Sequence, residues 1–371
     1  MSTAADRVRH SLRKLKPYQA GKPIDELKRE LGLCEVIKLA SNEYPEPPSP
    51  EVIEALKAEL DSLHRYPDPS VYELTRVASE HYGIEPSEII FGNGANELLE
   101  ILMHVFLDAG KGSVIYAHPS FPIYGLLAQS HYECGCIVPL DAEGVHDLDA
   151  MAAKIDDSTR MIFICNPNNP TATYVSEDAL KAFLAKVPDD VIVLLDEAYL
   201  EFVVADDFPE FFALRSLHPG LVSLRSMSKS YSLAGLRVGY LIGRPEIVEM
   251  MQRARQPFNV NRLAQRAACV AFGQRERVAE RRAKNRERLA QLGAGLRELG
   301  CQILPSQTNF FLATVPDAPD GLFERLLREG VIVRPMQSFG MDAGSFRVNV
   351  GTERENAFFL AALGRVLRAG A

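Results

Sequence analysis

The 371-residue sequence lacks the signatures of several functional classes. It has no run of about 18 apolar residues, which a helix needs to cross a bilayer, so we expect no membrane span. It has no G-x-x-x-x-G-K-[ST] loop and no G-x-G-x-x-G turn after a predicted strand, so it indicates neither magnesium-nucleotide nor dinucleotide chemistry. Its eight histidines show no H-E-x-x-H or comparable spacing, so we assign no metal.

Neither an excess of basic residues nor a cysteine framework is present. The net charge is −8, whereas a nucleic-acid surface needs a concentrated basic face, so we expect no nucleic-acid partner. The six cysteines are scattered, and the close pair Cys134 and Cys136 lacks the second pair that a structural zinc site needs. We therefore expect free thiols in a reducing cytoplasm.

The first two thirds of the chain alternates short apolar runs with helical or turn-rich stretches. This alternation predicts an α/β fold with a mostly parallel, seven-stranded sheet between layers of helices. Helices are expected from Ser49-Pro50-Glu51 to about Leu63, and after a capping box at Ser70-Val71-Tyr72-Glu73. The predicted strands are Glu88–Phe91, Ser113–Ala117, Cys136–Pro139, Arg160–Cys165, Val191–Leu195, Leu221–Leu224 and Val238–Ile242.

The pattern changes after Pro257. Residues 262–299 form one long, charge-rich helical pattern, and the last helix is capped by Thr352-Glu353-Arg354-Glu355. We predict a large domain at residues 31–256 and a smaller α+β domain from residues 1–30 and 257–371. The strands expected in the smaller domain are Asn309–Ala313, Val331–Arg334 and Ser345–Val350.

Candidate ligand-binding residues follow the predicted strands, where open α/β sheets bind ligands. A Gly-rich turn before Ala95 and Asn96 suits a phosphate, although such turns are common. Phe121 follows a second strand, where a plain core phenylalanine is the alternative. Two prolines and three asparagines fix the loop that contains Asn169 and aim its amide groups.

The strongest stretch runs from Leu224 to Arg237 and contains one lysine, Lys229, among hydroxyl groups. A desolvated lysine at a sheet edge can condense with a carbonyl cofactor, and hydroxyls with an arginine fork can hold a phosphate. Asp196 ends a very apolar run and needs a cationic partner such as a protonated pyridine nitrogen. Pyridoxal phosphate meets these requirements together, whereas a magnesium-binding Asp would need the missing phosphate loop.

The motif Ser226-x-Ser228-Lys229 with Leu233-Ala234-Gly235-Leu236-Arg237 resembles the fold-type I pyridoxal-phosphate-dependent aminotransferases. The resemblance covers nearly the whole chain, from Pro17 to Thr352. Within that family, Tyr66-Pro67-Asp68 and residues 255–261 are similar to the branch that acts on histidinol phosphate.

The resemblance implies roles around the cofactor ring. Lys229 would provide the amine that condenses with the cofactor aldehyde, and Asp196 would pair with the ring nitrogen. Tyr199 and Asn169 would hydrogen-bond the phenolic oxygen of the ring. Phe121 would stack on its face.

The resemblance also implies how anionic groups are held. Tyr66 would reach the cofactor phosphate from a neighbouring subunit, which makes the protein a homodimer. Arg347 would bind the anionic group of the substrate, with Tyr18 and Arg334 as nearby candidates. Within one subunit the phosphate would be bound by Ser226, Ser228, Arg237 and the backbone of Ala95 and Asn96.

The implied function is amino transfer between L-histidinol phosphate and 2-oxoglutarate in histidine biosynthesis. An aromatic-amino-acid aminotransferase or a threonine-phosphate decarboxylase would keep the same cofactor residues. Two departures bear on the substrate: Ala172 stands where the family usually has Gly, so we expect no positive φ there, and Tyr44 replaces an Asn near where specificity is read.

Overall fold

The computed structural model describes residues 7–13, 15, 21–108, 111–132 and 134–369. In these ranges the strands are β1 (Ile37–Lys38), β2 (Ile89–Gly92), β3 (Ser113–His118), β4 (Gly135–Pro139), β5 (Thr159–Cys165), β6 (Ile192–Asp196), β7 (Leu221–Ser226), β8 (Gly239–Ile242), β9 (Gln302–Ile303), β10 (Phe310–Thr314), β11 (Val331–Ile332), β12 (Arg334–Pro335) and β13 (Ser345–Asn349). The α-helices are α1 (His10–Arg13), α2 (Ile24–Leu31), α3 (Pro50–Glu59), α4 (Tyr72–Tyr82), α5 (Ala95–Phe106), α6 (Pro122–Leu127), α7 (Leu148–Ala152), α8 (Glu177–Leu184), α9 (Phe211–Leu214), α10 (Pro245–Ala254), α11 (Arg262–Phe272), α12 (Arg275–Glu298), α13 (Leu322–Arg328) and α14 (Glu353–Arg368).

The larger sheet has the order β2-β8-β7-β6-β5-β3-β4, with β8 antiparallel to its two neighbours and the other pairs parallel. Successive residues of its central strands are buried on opposite faces: Val193 and Leu195 join one core cluster, while Ile192 and Leu194 join another. A sheet that is buried on both faces needs such continuous apolar runs. The predicted α/β class and all seven predicted strand positions are confirmed within one or two residues.

Helix starts were predicted with mixed success. The Ser49 side chain caps α3 by accepting from Val52 N at 3.2 Å, as expected. The capping box expected at Ser70 is wrong, because Asp68 accepts the hydrogen bonds from Ser70 N and Tyr72 N instead. The box at the start of α14 is confirmed: Thr352 Oγ1 accepts from Glu355 N, and Glu355 accepts from Thr352 N.

The smaller sheet has the order β12-β13-β10-β9 and is antiparallel. Beside it, β1 pairs in parallel with β11, which brings residues 37–38 against residues 331–332. Helices α12, α13 and α14 cover this sheet through a core that includes Leu292, Leu326 and Phe359. A second, smaller α+β unit is therefore present.

The long helical pattern at 262–299 is two helices, because the chain turns at Gly273 and Gln274 between α11 and α12. Helix α11 buries Ala264, Ala268 and Phe272 in a core cluster of the larger sheet. Ile37 belongs instead to the core of the smaller unit. The division at residues 30/31 and 256/257 stays a prediction. The packing favours a first boundary after β1 and a second boundary between α11 and α12.

Candidate active site

The carboxyl ends of the central strands, the start of α5 and the smaller sheet enclose a cavity of about 390 Å³. In the larger sheet, Cys165 of β5 is in register with Asp196 of β6, which is in register with Leu224 of β7. The polar residues that follow these strands therefore meet at one edge. Of the predicted site residues, the cavity is lined by Ala95, Asn96, Phe121, Asn169, Asp196, Tyr199, Ser226, Ser228, Lys229, Arg237, Arg334 and Arg347.

The amine of Lys229 lies inside this cavity. Its Nζ donates to the carbonyl of Ser41 at 3.1 Å and is 5.7 Å from the ring centroid of Tyr199. Burial, followed by the charge of Arg347, lowers the pKa of Lys229 to about 8. The uncharged, nucleophilic form is therefore much more accessible near neutral pH than for an ordinary lysine.

Asp196 is a buried carboxylate at the end of β6 with 4% of its surface exposed. Tyr124 Oη donates to its Oδ2 at 2.6 Å, and Ala198 N donates to its Oδ1 at 3.2 Å. Burial raises the pKa of Asp196, because little water remains to solvate the charge. Tyr124 was not predicted, and a buried tyrosine on an apolar helix face has no sequence signal that separates it from plain core.

A cradle for an oxyanion forms where α5 begins. Gly94 has φ +80°, and a methyl group added there would collide with the guanidinium of Arg237. Arg237 Nη1 also donates to Ser228 Oγ at 3.4 Å, and Ser228 N donates to Ser226 Oγ at 3.2 Å. Hydroxyls, a guanidinium and the first N–H groups of a 12-residue helix converge here, which is the donor set for a phosphate.

Two hydrogen-bonding side chains and a ring occupy the wall between the cradle and the smaller sheet. Tyr199 Oη accepts from Asn42 Nδ2 at 2.8 Å, and burial raises the pKa of Tyr199 above its ordinary value. Asn169 Oδ1 accepts from Arg347 Nη1 at 2.5 Å. The ring of Phe121 lines the same cavity and meets Tyr124 edge-on at 5.6 Å between centroids.

The smaller sheet adds two arginines to the cavity. Arg334 and Arg347 are partners in register on β12 and β13, and Arg347 Nη2 also donates to the carbonyl of Ala40 at 2.7 Å. Lysines and arginines outnumber the lining acids, which are Glu43 and Asp196. The cavity therefore suits a ligand with several negative charges.

Among the described residues, Tyr66 is the predicted site residue that lies away from the cavity. Tyr66 is 77% exposed at the surface, where its ring stacks on Phe258 at 4.6 Å between centroids. Tyr18 is outside the described residues.

The two departures from the family pattern have different outcomes. The expectation that Ala172 avoids positive φ is wrong: its φ is +65°, and its backbone donates to Asn168 O and accepts from Gln307 N. These two bonds hold the strained conformation that Gly would adopt freely. Tyr44 does not line the cavity, because its ring packs 6.3 Å from Phe202 and under the guanidinium of Arg281.

The described residues contain no group of three or more His, Cys, Asp or Glu side chains arranged to hold a metal ion. Nor does any helix in the described ranges have the length and apolar character required to span a bilayer.

The chain is similar to known proteins over nearly its whole length. The family profile described as aminotransferase class I and II matches residues 34–363. The chain is 43% identical to histidinol-phosphate aminotransferase 2 of Pseudomonas aeruginosa over 96% of both chains. It is 44% identical to histidinol-phosphate aminotransferase of an Anaeromyxobacter species over 96% of this chain and 97% of that one. The crystal structure of histidinol-phosphate aminotransferase from Sinorhizobium meliloti with pyridoxal 5′-phosphate superposes with a TM-score of 0.87 at 24% identity, covering 98% of each chain.

Proposed function

The chain belongs to the class I and II aminotransferases, and from that premise we propose that it exchanges an amino group between L-histidinol phosphate and 2-oxoglutarate. The observation that carries the proposal is the pair Arg334 and Arg347, which face the cavity that holds Lys229 and Asp196. Histidinol phosphate ends in a phosphate and 2-oxoglutarate in carboxylates, and a guanidinium fork binds either group. Histidine biosynthesis is the corresponding pathway, and the cytoplasm is its proposed location.

Pyridoxal phosphate is the cofactor of this family, and the residues present fit it. Because Gly94 has no side chain, the guanidinium of Arg237 can lie against the backbone where α5 begins, beside the place proposed for the phosphate. Ser226, Ser228 and the N–H groups of Ala95 and Asn96 would complete the phosphate shell. Within the described residues, Asp196 accepts hydrogen bonds from Tyr124 Oη and Ala198 N, neither of which carries a charge. A protonated ring nitrogen would give this buried carboxylate a cationic partner.

Bound pyridoxal phosphate supplies an aldehyde that takes up amino groups and a ring that delocalises the charge developing on the substrate carbon. Lys229 would hold the resting cofactor and, once released, move the proton at the substrate Cα. Its pKa of about 8 suits this task, because a general base works best with a pKa near the working pH. Asp196 would keep a proton on the ring nitrogen.

The wall residues would orient the two reacting partners. Tyr199 and Asn169 would donate to the phenolic oxygen of the ring, and Phe121 would cover one ring face. Arg347 would hold the anionic group of each substrate in turn, with Arg334 beside it. Tyr18 is proposed for the same end of the substrate.

We propose a homodimer in which Tyr66 reaches the cofactor phosphate of the neighbouring subunit. The backbone around Tyr66 is fixed, since Arg262 Nη2 donates to its carbonyl at 2.9 Å and Gln265 donates to Asp68 O at 3.0 Å. Nevertheless its side chain, like those of Leu63 and Tyr72, is more than half exposed. Apolar surface of this kind is typical of a contact with another chain. Sedimentation should give about twice 41.1 kDa, and a fully active monomer would contradict the proposal.

A substrate competition tests the proposed activity. Purified holoenzyme is given 2-oxoglutarate with histidinol phosphate, phenylalanine or tyrosine at equal concentration, and glutamate is measured. We expect kcat/KM for histidinol phosphate to be higher by about a hundredfold, because only that donor pairs with the arginines through a phosphate. Equal or better use of phenylalanine would contradict the substrate, and carbon dioxide without glutamate would contradict amino transfer.

A further inference from the structure

Ser230, the residue after Lys229, is held from behind the cavity by two side chains. Arg281 Nη1 donates to Ser230 O at 2.6 Å, and Ser230 Oγ donates to Glu201 Oε2 at 3.0 Å. Only 1% of Ser230 is exposed, so water does not compete for these bonds. They fix the backbone from which the Lys229 side chain extends.

The same guanidinium also reaches the segment that receives the lysine amine. Arg281 Nη2 donates to the carbonyl of Pro47 at 2.9 Å. Pro47 ends segment 41–47, and Ser41 at its start accepts the hydrogen bond from Lys229 Nζ. One side chain therefore bridges the turn that carries the amine and the segment that contains its acceptor.

An arginine is suited to this place in a way that other residues are not. Arg281 is buried in α12, and its guanidinium carbon lies 4.9 Å from the ring centroid of Tyr44. A buried cation needs hydrogen-bond acceptors or an aromatic face, and Arg281 has both. The planar guanidinium donates to two carbonyls in separate segments, whereas a lysine ammonium is a compact point charge that does not reproduce this geometry.

Arg281 acts at a distance from the reacting atoms, because it is not among the residues that line the cavity. One turn further along α12, Asn285 Nδ2 donates to Thr308 O at 3.0 Å. Two turns from Arg281, Arg288 pairs with Glu46 at 2.8 Å. The same helix is thus anchored to the smaller unit and to segment 41–47. This anchoring gives Arg281 a fixed base from which to hold Ser230.

We propose that Arg281 is a positioning residue of the aminotransferase reaction, which keeps Lys229 Nζ at the cavity by bridging Ser230 and Pro47. The inference rests on the proposed role of Lys229 as the reacting amine. The charged groups that face this amine are Arg237, Arg347, Asp196 and Glu43. All four remain when Arg281 is changed, and Arg281→Lys also keeps the positive charge at position 281. A shift in the titration of Lys229 in that variant would therefore come from its position and its access to water.

The test compares Arg281→Met and Arg281→Lys with Arg286→Met, an exposed arginine of the same helix. In cofactor-free protein, acetylation of Lys229 by acetic anhydride is followed against pH by peptide mass spectrometry. We expect the midpoint to rise by about one pH unit in Arg281→Met, towards the ordinary lysine value, by less in Arg281→Lys, and not at all in the control.

Holoenzyme gives a second readout. In Arg281→Met, kcat should fall about tenfold with KM changed less than about twofold, because the substrate arginines are untouched. An unchanged Lys229 midpoint in folded Arg281→Met, or an equal shift in Arg286→Met, would overturn the proposal. If Arg281→Met does not fold, an unchanged midpoint in Arg281→Lys overturns it. Failure of the proposed function would appear separately, as transamination that survives loss of Lys229.

Discussion

Tyr124 Oη donates a 2.6 Å hydrogen bond to the buried carboxylate of Asp196, across 72 residues of sequence. Asp196 has 4% of its surface exposed, so this hydroxyl replaces part of the water that the charge has lost. The bond also fixes the direction in which the carboxylate faces the cavity. Tyr124 therefore supports the acid that is proposed to hold the cofactor ring.

Replacing Tyr124 with Phe should destabilise the cofactor-free protein. The change leaves a buried carboxylate oxygen without its donor, a loss of about 1–3 kcal/mol, which should lower the melting temperature by about 2–5 °C. Calorimetry measures the change. The matched control is Tyr174→Phe, which removes a bond of the same length to Asp207 at the surface and should have little effect. Equal losses in the two variants would contradict a special role for Tyr124.

Gly94→Ala should weaken cofactor binding. The new methyl group would clash with the Arg237 guanidinium, and the alanine backbone would have to adopt a φ of +80°, which glycine tolerates and alanine does not. The groups that form the phosphate cradle would therefore have to shift. We expect the dissociation constant for pyridoxal phosphate to rise by about tenfold or more, as measured by absorbance titration. Gly83→Ala has positive φ but open space around it, and it should bind the cofactor as the wild type does.

Arg347→Lys should impair both halves of the reaction. Lysine cannot reproduce the fork that contacts Asn169 and Ala40 while facing the substrate, so kcat/KM should fall about a hundredfold for donor and acceptor alike. Steady-state kinetics with each substrate varied in turn measures this. Arg365→Lys, which changes an exposed pair with Glu329, is the control. A loss confined to one substrate would show that the two are held by different residues.

The titration of Lys229 should also appear in the stability of cofactor-free protein. Burial lowers its pKa to about 8 in the folded state, against about 10.5 when unfolded, so below pH 8 the fold carries the full penalty of a buried cation. Between pH 8 and 10.5 the unfolded chain binds more protons, and stability due to this residue rises with pH. Relative to Lys229→Met, the wild type should gain on the order of 2 kcal/mol across that window. Denaturant unfolding at several pH values measures the difference, and a constant difference would contradict it.

Much of the fold followed from local patterns. Seven apolar runs predicted the larger sheet, because strands that are buried on both faces leave little room for polar residues. The presence of Asp196 and Lys229 in one cavity could be predicted from topology, because residues that follow parallel strands lie at the same edge of the sheet.

What escaped prediction depends on partners far away in the sequence. The start of α4 is set by Asp68 rather than by Ser70, and the positive φ of Ala172 is held partly by Gln307. The contacts of Tyr124 with Asp196 and of Arg281 with Ser230 join residues on separate elements. No spacing rule reports such contacts, because they arise only when the elements pack.

The most direct measurement of the central claim is transamination by purified Lys229→Ala, with Lys181→Ala as the exposed control. Glutamate formed from 2-oxoglutarate and histidinol phosphate is followed, and cofactor binding is checked by absorbance. We predict a loss of about ten-thousandfold in turnover while pyridoxal phosphate still binds, because the amine that moves the Cα proton is gone. Near-normal transamination by Lys229→Ala would contradict the account.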